Sequence, residues 1–240
     1  MKLRMIISLA FLFYCFLHGE NNINITPSDS DETGLNLQAV GELFKDSENL
    51  EEFEKAINDS GKGINNLDLD NDGKVDYIKV TEDVKDNTHL IVLQDPVSKD
   101  ESQDVATIEV EKSGEDYNMQ IKGNEEIYGA NYYVVPTVVH VRTWPIISFI
   151  YRPAYRPYRS AFYFGFYPRW WHPFHPIARH VYHARVVTVT HRRTFTIAKT
   201  TRVRSISKFH YKPHSSKLVV RKTTIKRNGK TVKRTRVKVR

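Results

Sequence analysis

The stretch Asp68–Val80, "DLDNDGKVDYIKV", carries the pattern on which the interpretation of the whole chain depends. Aspartates stand at positions 68, 70, 72 and 76, and a glycine follows the third of them at position 73. Short carboxylate side chains at positions one, three and five of a tight loop can all point inward, and glycine at position six allows the sharp turn that this requires. A hard cation such as Ca²⁺ takes six to eight oxygen ligands at about 2.3–2.6 Å. The sequence therefore predicts a cation-binding loop that leads into a strand.

The predicted ligands are the side chains of Asp68, Asp70, Asp72 and Asp76 and the main-chain carbonyl of Lys74. The competing interpretation is a solvated acidic turn, because Asp, Asn and Gly are common turn residues. Against it, four carboxylates within nine residues repel one another, which raises their pKa values and disfavours a compact turn unless a cation neutralises them. We expect one weak Ca²⁺ site, with a dissociation constant on the order of 10⁻⁵–10⁻³ M.

The loop resembles the EF-hand family, but Lys79 stands at position twelve, where that family has a bidentate glutamate. A helix–loop–helix sensor is therefore not expected. The ending "VDYIKV" alternates like a strand, so the loop is more similar to the calcium loops of dockerin-like or integrin-type bacterial repeats. This resemblance implies a structural rather than a signalling role for the cation.

Charge divides the chain into two halves. All 28 acidic residues lie between Glu20 and Glu126, whereas the range Arg142–Arg240 contains 25 Lys and Arg. The net charge of +8 therefore conceals an acidic half and a basic half, and such asymmetry indicates an interaction tail. Cys15 is the only cysteine, so a chain without its N-terminal run has no disulfide and no thiolate ligand.

Residues 1–19 are predicted to be a signal peptide, with Lys2 and Arg4 before an apolar run that ends at Leu17. A membrane anchor and lipoprotein processing at Cys15 are the alternatives, but the run of 13 apolar residues is short for a span of about 20. Residues 20–34 are predicted to be a flexible lead-in. We expect an exported protein, located in the periplasm, in the cell envelope or outside the cell.

Residues 35–141 are predicted to form an acidic α+β domain with the calcium loop. Helical periodicity places Leu37, Val40 and Phe44 on one face of a first helix, and Asn49 precedes a second. Four alternating or apolar stretches predict strands, and short connections favour antiparallel pairing. These strands are Val75–Thr81, His89–Leu93, Val105–Glu111 and Tyr117–Ile121. The predicted fold is therefore two N-terminal helices packed on a small antiparallel sheet of about four strands.

Residues 142–184 are expected to be irregular. Trp144–Pro176 contains 13 aromatic residues and six prolines among 33, which excludes a regular helix and a central strand. Tyr, Trp and Arg are typical of interface hot spots, which favours a segment that binds a partner. The alternative is a disordered linker. His172, His175, His180 and His183 suggest a transition-metal site, a hypothesis disfavoured by neighbouring arginines and by the lack of a nearby carboxylate.

Residues 185–240 are predicted to be a basic, β-prone tail. Asn228-Gly229 between two alternating runs indicates a β-hairpin with a type I′ turn. Both strands have little apolar surface to bury, and a two-stranded hairpin is marginal alone in water. We therefore expect the C-terminal region to be irregular or disordered by itself. An anionic partner, self-association or folding over the acidic domain would stabilise it.

The overall layout is similar to a family of uncharacterised secreted proteins of Bacteroidetes-type bacteria. The similarity rests on the segments "NLEEFEKAIN", "INNLDLDNDGKVDYIKV" and "GANYYVVP", followed by a Tyr/Arg/Pro/Trp-rich run and a basic tail. It implies export and an α+β domain with an acidic loop, and it implies no catalytic residue.

The residues do not form a recognisable set of nucleophile, base and orienting group, and no Gly-rich phosphate loop is present in the sequence. We therefore predict a non-enzymatic binding or structural protein. Its basic aromatic tail is expected to adhere to an anionic glycan, lipopolysaccharide or a membrane surface. The alternative is non-specific nucleic-acid binding by the same tail. Export disfavours it, because an exported protein does not meet nucleic acid inside the cell.

Overall fold

The computed structural model describes residues 34–138, 140–209, 211–215, 218–227 and 230–239, and in the last two ranges it describes the backbone only. The predicted signal peptide, nearly all of the lead-in and Asn228-Gly229 lie outside the described residues. The helices are α1 (Leu37–Asp46), α2 (Leu50–Ile57), α3 (Glu125–Tyr128), α4 (Pro145–Ile150), α5 (Arg179–Thr190) and a 3₁₀ turn (Ser205–Phe209). Among these residues no helix is both long enough and apolar enough to cross a membrane.

The strands are between four and eleven residues long. They are β1 (Lys79–Lys85), β2 (Thr88–Asp95), β3 (Gln103–Ser113), β4 (Asp116–Gly123), β5 (Tyr133–Pro136), β6 (Phe195–Ala198), β7 (Leu218–Arg227) and β8 (Lys230–Val239). Within the described residues, β1 to β6 form one sheet in chain order, and every neighbouring pair is antiparallel. The prediction of an antiparallel meander is therefore confirmed.

Both N-terminal helices begin at asparagines that cap them. The Asn36 side chain accepts hydrogen bonds from the backbone of Gln38 and Ala39, and Asn49 Oδ1 accepts one from Glu52 N at 2.9 Å. Such caps satisfy N–H groups that have no partner inside the helix. The apolar faces of both helices are fully buried, as their periodicity predicts.

The predicted fold class is wrong in the size of the sheet and in the state of the C-terminal region. The sheet has six strands among the described residues instead of about four, because β5 pairs with β4 and β6 pairs with β5. The strand β6 comes from "FTIA" in the predicted basic tail, where only four residues alternate and the neighbouring residues are basic. Its partner lies about 60 residues earlier in the chain, so local periodicity could not indicate the pairing.

The aromatic region, residues 142–184, is also packed against the rest of the protein. Ile146, Ile147 and Ile150 of α4, together with Tyr182 and Val186 of α5, belong to the same apolar core as α1 and α2. Aromatic side chains bury large areas without regular backbone. The prediction that the prolines exclude a regular helix is wrong for α4, which begins at Pro145, because proline is tolerated at the first position of a helix.

The predicted strand Val75–Thr81 begins later than expected, at Lys79. Val75 N donates to Phe174 O at 2.7 Å, so this part of the backbone binds the aromatic region instead of a neighbouring strand. At the other end of the chain, β7 and β8 pair with Arg227 opposite Lys230, in agreement with the predicted hairpin.

Candidate cation site

The acidic loop is held at both ends by buried apolar side chains. Leu67 and Leu69 on one side, and Val75 and Tyr77 on the other, are each no more than 2% exposed. The alternation of apolar and acidic residues therefore turns the leucines, Val75 and Tyr77 into the protein and leaves the aspartates on the opposite side. The turn between them uses Gly73, whose φ is +83°, a conformation that residues with a Cβ adopt at a cost.

The aspartates organise the backbone of the loop. Asp72 N donates to Asp70 Oδ1 at 2.9 Å, and Gly73 N donates to Asp68 Oδ2 at 3.2 Å. The backbone N–H of Leu69 donates to Asp76 Oδ2. These bonds wind the loop tightly, as the sequence predicts, and they use one oxygen of each of three carboxylates.

Three of the predicted ligands come together. Asp68, Asp70 and Asp76 each place a carboxylate oxygen within 4.8 Å of the other two. Asp72 does not belong to this cluster: its side chain is 47% exposed and lies 3.9 Å from the ammonium of Lys74. Ligation by Asp72 and by the Lys74 carbonyl therefore stays a sequence-based prediction.

Asp95, at the end of β2, faces the loop, and sequence reasoning missed it. It is 3% exposed, its Oδ2 has no hydrogen-bond partner, and its carboxyl lies within hydrogen-bonding reach of Asp76. A β-bulge between Leu93 and Gln94 changes the alternation just before it, and bulges commonly re-aim a side chain. The available signal was an aspartate directly after the apolar strand "HLIVL" and before Pro96.

Burial and mutual repulsion raise the pKa values of these acids. Burial is the main cause for Asp76, whose pKa rises to about 7, and the charges of Asp70 and Asp68 add to it. Burial also raises the pKa of Asp95 well above its ordinary value, with the charge of Asp76 as the next cause. The pKa of Asp68 rises for the same two reasons, burial first and then Asp70. The ionised cluster is therefore costly unless positive charge is supplied.

One basic side chain of the loop, Lys74, lies 3.9 Å from the carboxylate of Asp72, which is exposed and outside the cluster. One oxygen of Asp68 (Oδ1) and one of Asp95 (Oδ2) are buried without any hydrogen bond. A buried carboxylate oxygen without a partner is unfavourable, so the arrangement is complete only with bound protons or a cation.

An aromatic cover lies beside the loop, formed by Phe162, Tyr167, Trp170 and Trp171 around Tyr77. The ring centroids of Tyr77 and Trp171 are 5.2 Å apart. Burial raises the pKa of Tyr167, and the charges of Asp95, Asp76 and Asp70 contribute to this shift. The loop is therefore part of the surface on which the aromatic region docks.

The histidines of the aromatic region stand apart from this cluster of carboxylates. His172, His175, His180 and His183 are exposed. His175 Nδ1 lies 2.7 Å from the carbonyl oxygen of Gly73. This contact ties the aromatic region to the loop and gives His175 a structural role.

A cavity of about 800 Å³ lies on the other face of the sheet, under residues 201–215. Two of its polar residues bind neighbours: Glu109 accepts from Gln120 Nε2 and Thr107 Oγ1, and Gln120 Oε1 accepts from the backbone of Val203 at 3.1 Å. Burial raises the pKa of Glu109 above its ordinary value. Most of the cavity surface is apolar.

Comparisons with protein-family models, with curated proteins and with solved structures return no match to this chain.

Proposed function

We propose that this is an exported, non-enzymatic binding and structural protein that is stabilised by one Ca²⁺ ion in the acidic loop, and that its basic C-terminal end adheres to anionic envelope or surface material. The observation that carries the calcium part is the convergence of the Asp68, Asp70 and Asp76 carboxylates, with partner-free oxygens buried beside them. Only oxygen ligands are present in this cluster, which favours a hard cation over a soft one.

A structural role for the ion is supported by its surroundings. Val75 N donates to Phe174 O and His175 contacts the Gly73 carbonyl, so the loop backbone holds the end of the aromatic run Trp144–Pro176. A cation that orders the loop therefore also stabilises the docking of residues 160–177. With one such loop and no groups arranged for a reaction among the described residues, stabilisation is the role that fits best.

The charge distribution supports adhesion by the C-terminal end. Residues 34–215 contain 24 acidic and 23 basic side chains, so this part is nearly neutral. Pairs such as Arg159–Asp83 and Arg192–Asp46 show how the second half offsets the first. Residues 216–240 contain 11 Lys and Arg and no acid, and basic residues at an anionic surface contribute about 1 kcal/mol each.

Titration calorimetry with CaCl₂ tests the calcium part. We expect the wild type to bind one ion, and at about a hundredfold excess over its dissociation constant the ion should stabilise the fold by about 2.7 kcal/mol. Asp70→Asn should lose most of the heat and of the rise in melting temperature, whereas Asp100→Asn, at an exposed turn, should behave like the wild type. A wild type with no heat and no thermal shift at millimolar calcium refutes the site.

Vesicle binding tests the tail. The full-length protein should co-sediment with vesicles that contain an anionic lipid, less so as salt is raised, and weakly with zwitterionic vesicles. Replacing Lys233, Arg234, Arg236 and Lys238 by Gln should remove most of this binding, whereas Lys99→Gln with Lys112→Gln should not. Binding that ignores both salt and the four substitutions contradicts adhesion by the tail.

A further inference from the structure

We infer, building on the proposed calcium site, that Asp95 of β2 is a ligand of the same cation, so that the ion joins the acidic loop to the central sheet. The loop would then be one half of a two-part site. The other half would be supplied by a strand that lies between β1 and β3 and is buried along its whole length.

The first argument is the state of the Asp95 carboxylate. The residue is 3% exposed, its Oδ2 has no hydrogen-bond partner, and its carboxyl lies within hydrogen-bonding reach of Asp76. Burying an ionised group without a partner costs several kcal/mol, so such a residue is retained only where something compensates it. A divalent cation between Asp95 and Asp76 compensates both.

The second argument is the convergence of unused oxygens. Asp68 Oδ1 is also buried without a partner, and Asp68, Asp70 and Asp76 already share a volume less than 5 Å across. Asp95 contacts Asp76 of this cluster. The unsatisfied oxygens therefore come from two separate segments, the loop and β2, that meet at Asp76.

The third argument concerns the ligand that the loop lacks. In the EF-hand pattern the last carboxylate comes from position twelve, where this chain has Lys79 in strand β1. Asp95 offers a carboxylate from outside the loop in its place. Four carboxylates and no nitrogen or sulfur ligand are the donor set of a hard divalent cation, and Ca²⁺ tolerates the irregular geometry of such a composite site.

The experiment compares two isosteric substitutions in the full-length chain, Asp95→Asn and Asp72→Asn, by titration calorimetry with CaCl₂. If Asp95 is a ligand, Asp95→Asn should weaken calcium binding by at least about tenfold, because it removes one of few charges from the ligand set. Asp72→Asn should weaken it by less than about threefold, because the Asp72 side chain is exposed and outside the cluster.

Stability without calcium provides the second readout. In a chelator, Asp95→Asn should be at least as stable as the wild type in urea unfolding, because the Asn side chain is neutral and its amide can donate to the Asp76 carboxylate. A ligand role thus predicts that Asp95→Asn lowers calcium affinity without lowering the stability measured in a chelator. Asp95→Ser, which removes the charge and the reach of the side chain, should give the same loss of affinity if Asp95→Asn does not fold.

The outcomes separate this inference from the proposed function. If the wild type binds calcium and both Asp95 variants bind it as tightly, the loop alone is the site and the inference is overturned while the proposed function stands. If Asp72→Asn loses more affinity than Asp95→Asn, the inference is also overturned. A wild type that binds no calcium refutes the proposed function itself.

Discussion

Two groups of acidic residues in this protein differ in what stabilises their oxygens. Glu54 and Glu82, at most 2% exposed, have hydrogen-bond partners both in the aromatic region and in the first half of the chain. Glu54 accepts from the hydroxyls of Tyr77, Ser160 and Tyr158 and from Val80 N, and Glu82 accepts from Tyr155 and Tyr158 N and lies 2.6 Å from His89 Nδ1. In the loop cluster, by contrast, Asp68 and Asp95 each keep a buried oxygen without a partner.

The difference shows how the two halves of the chain depend on each other. The tyrosines and backbone of the aromatic region saturate the first group, so those acids attach the aromatic region to the sheet. Ser160 N donates to Val80 O and Glu82 N donates to Tyr158 O, which adds main-chain bonds at the same place. The second group consists of acids whose charges repel one another, so its stabilisation requires bound protons or a cation.

The largest expected effect comes from breaking the saturated group. Glu54→Ala should lower the free energy of unfolding by about 3 kcal/mol, because four donors lose their acceptor at once. Urea unfolding in saturating calcium measures the loss. Glu51→Ala, an exposed residue of the same helix, should change stability by less than about 0.5 kcal/mol. Equal stability of the two variants contradicts the attachment role.

A smaller effect concerns pH. Burial raises the pKa of Glu54 above its ordinary value even though four hydrogen bonds lower it. The folded protein therefore holds the Glu54 proton to higher pH than the unfolded chain. As the pH rises from the ordinary range of glutamate through the folded-state pKa, the unfolded chain releases that proton first, and this contribution to stability falls.

Glu54→Gln removes that titration. The stability of the wild type relative to Glu54→Gln should therefore decrease as the pH rises above about 4.5, with a change smaller than the loss caused by Glu54→Ala. Urea unfolding of both proteins in the same buffers isolates Glu54, because every other titrating group is common to them. If the stability difference between the wild type and Glu54→Gln does not vary with pH, the effects of hydrogen bonding and of burial on the Glu54 pKa cancel.

The smallest effect compares two glycines with positive φ. Gly73 in the loop and Gly114 in the β3–β4 turn have φ values of +83° and +63°, and an added Cβ would meet no atom within 4 Å at either. Alanine at each position should therefore cost about 1 kcal/mol in a chelator, through backbone strain alone. Only Gly73→Ala should also weaken calcium binding; equal calcium affinity of both variants would show that the loop conformation does not limit binding.

Local sequence was sufficient for features that depend on near neighbours. The cap at Asn49 follows from residues within three positions, and strands β2 to β4 follow from apolar or alternating runs of a few residues. The first predicted strand overlaps β1 only at residues 79–81. The tight loop follows from the spacing of its aspartates and Gly73. The same local signals failed for β6, whose four residues alternate weakly and whose partner is far away in the chain.

The sequence by itself determined that an acidic loop precedes an antiparallel meander and that an aromatic, proline-rich region follows it, because each of these is a matter of residue type and short-range spacing. Only the tertiary structure decided that Asp95 lies beside the loop, that the Asp72 side chain is exposed outside the cluster and that the aromatic region contributes to the core. Those outcomes depend on which distant surfaces pack together. Packing of that kind is selected by the total apolar area buried and by the polar groups satisfied, which no local pattern records.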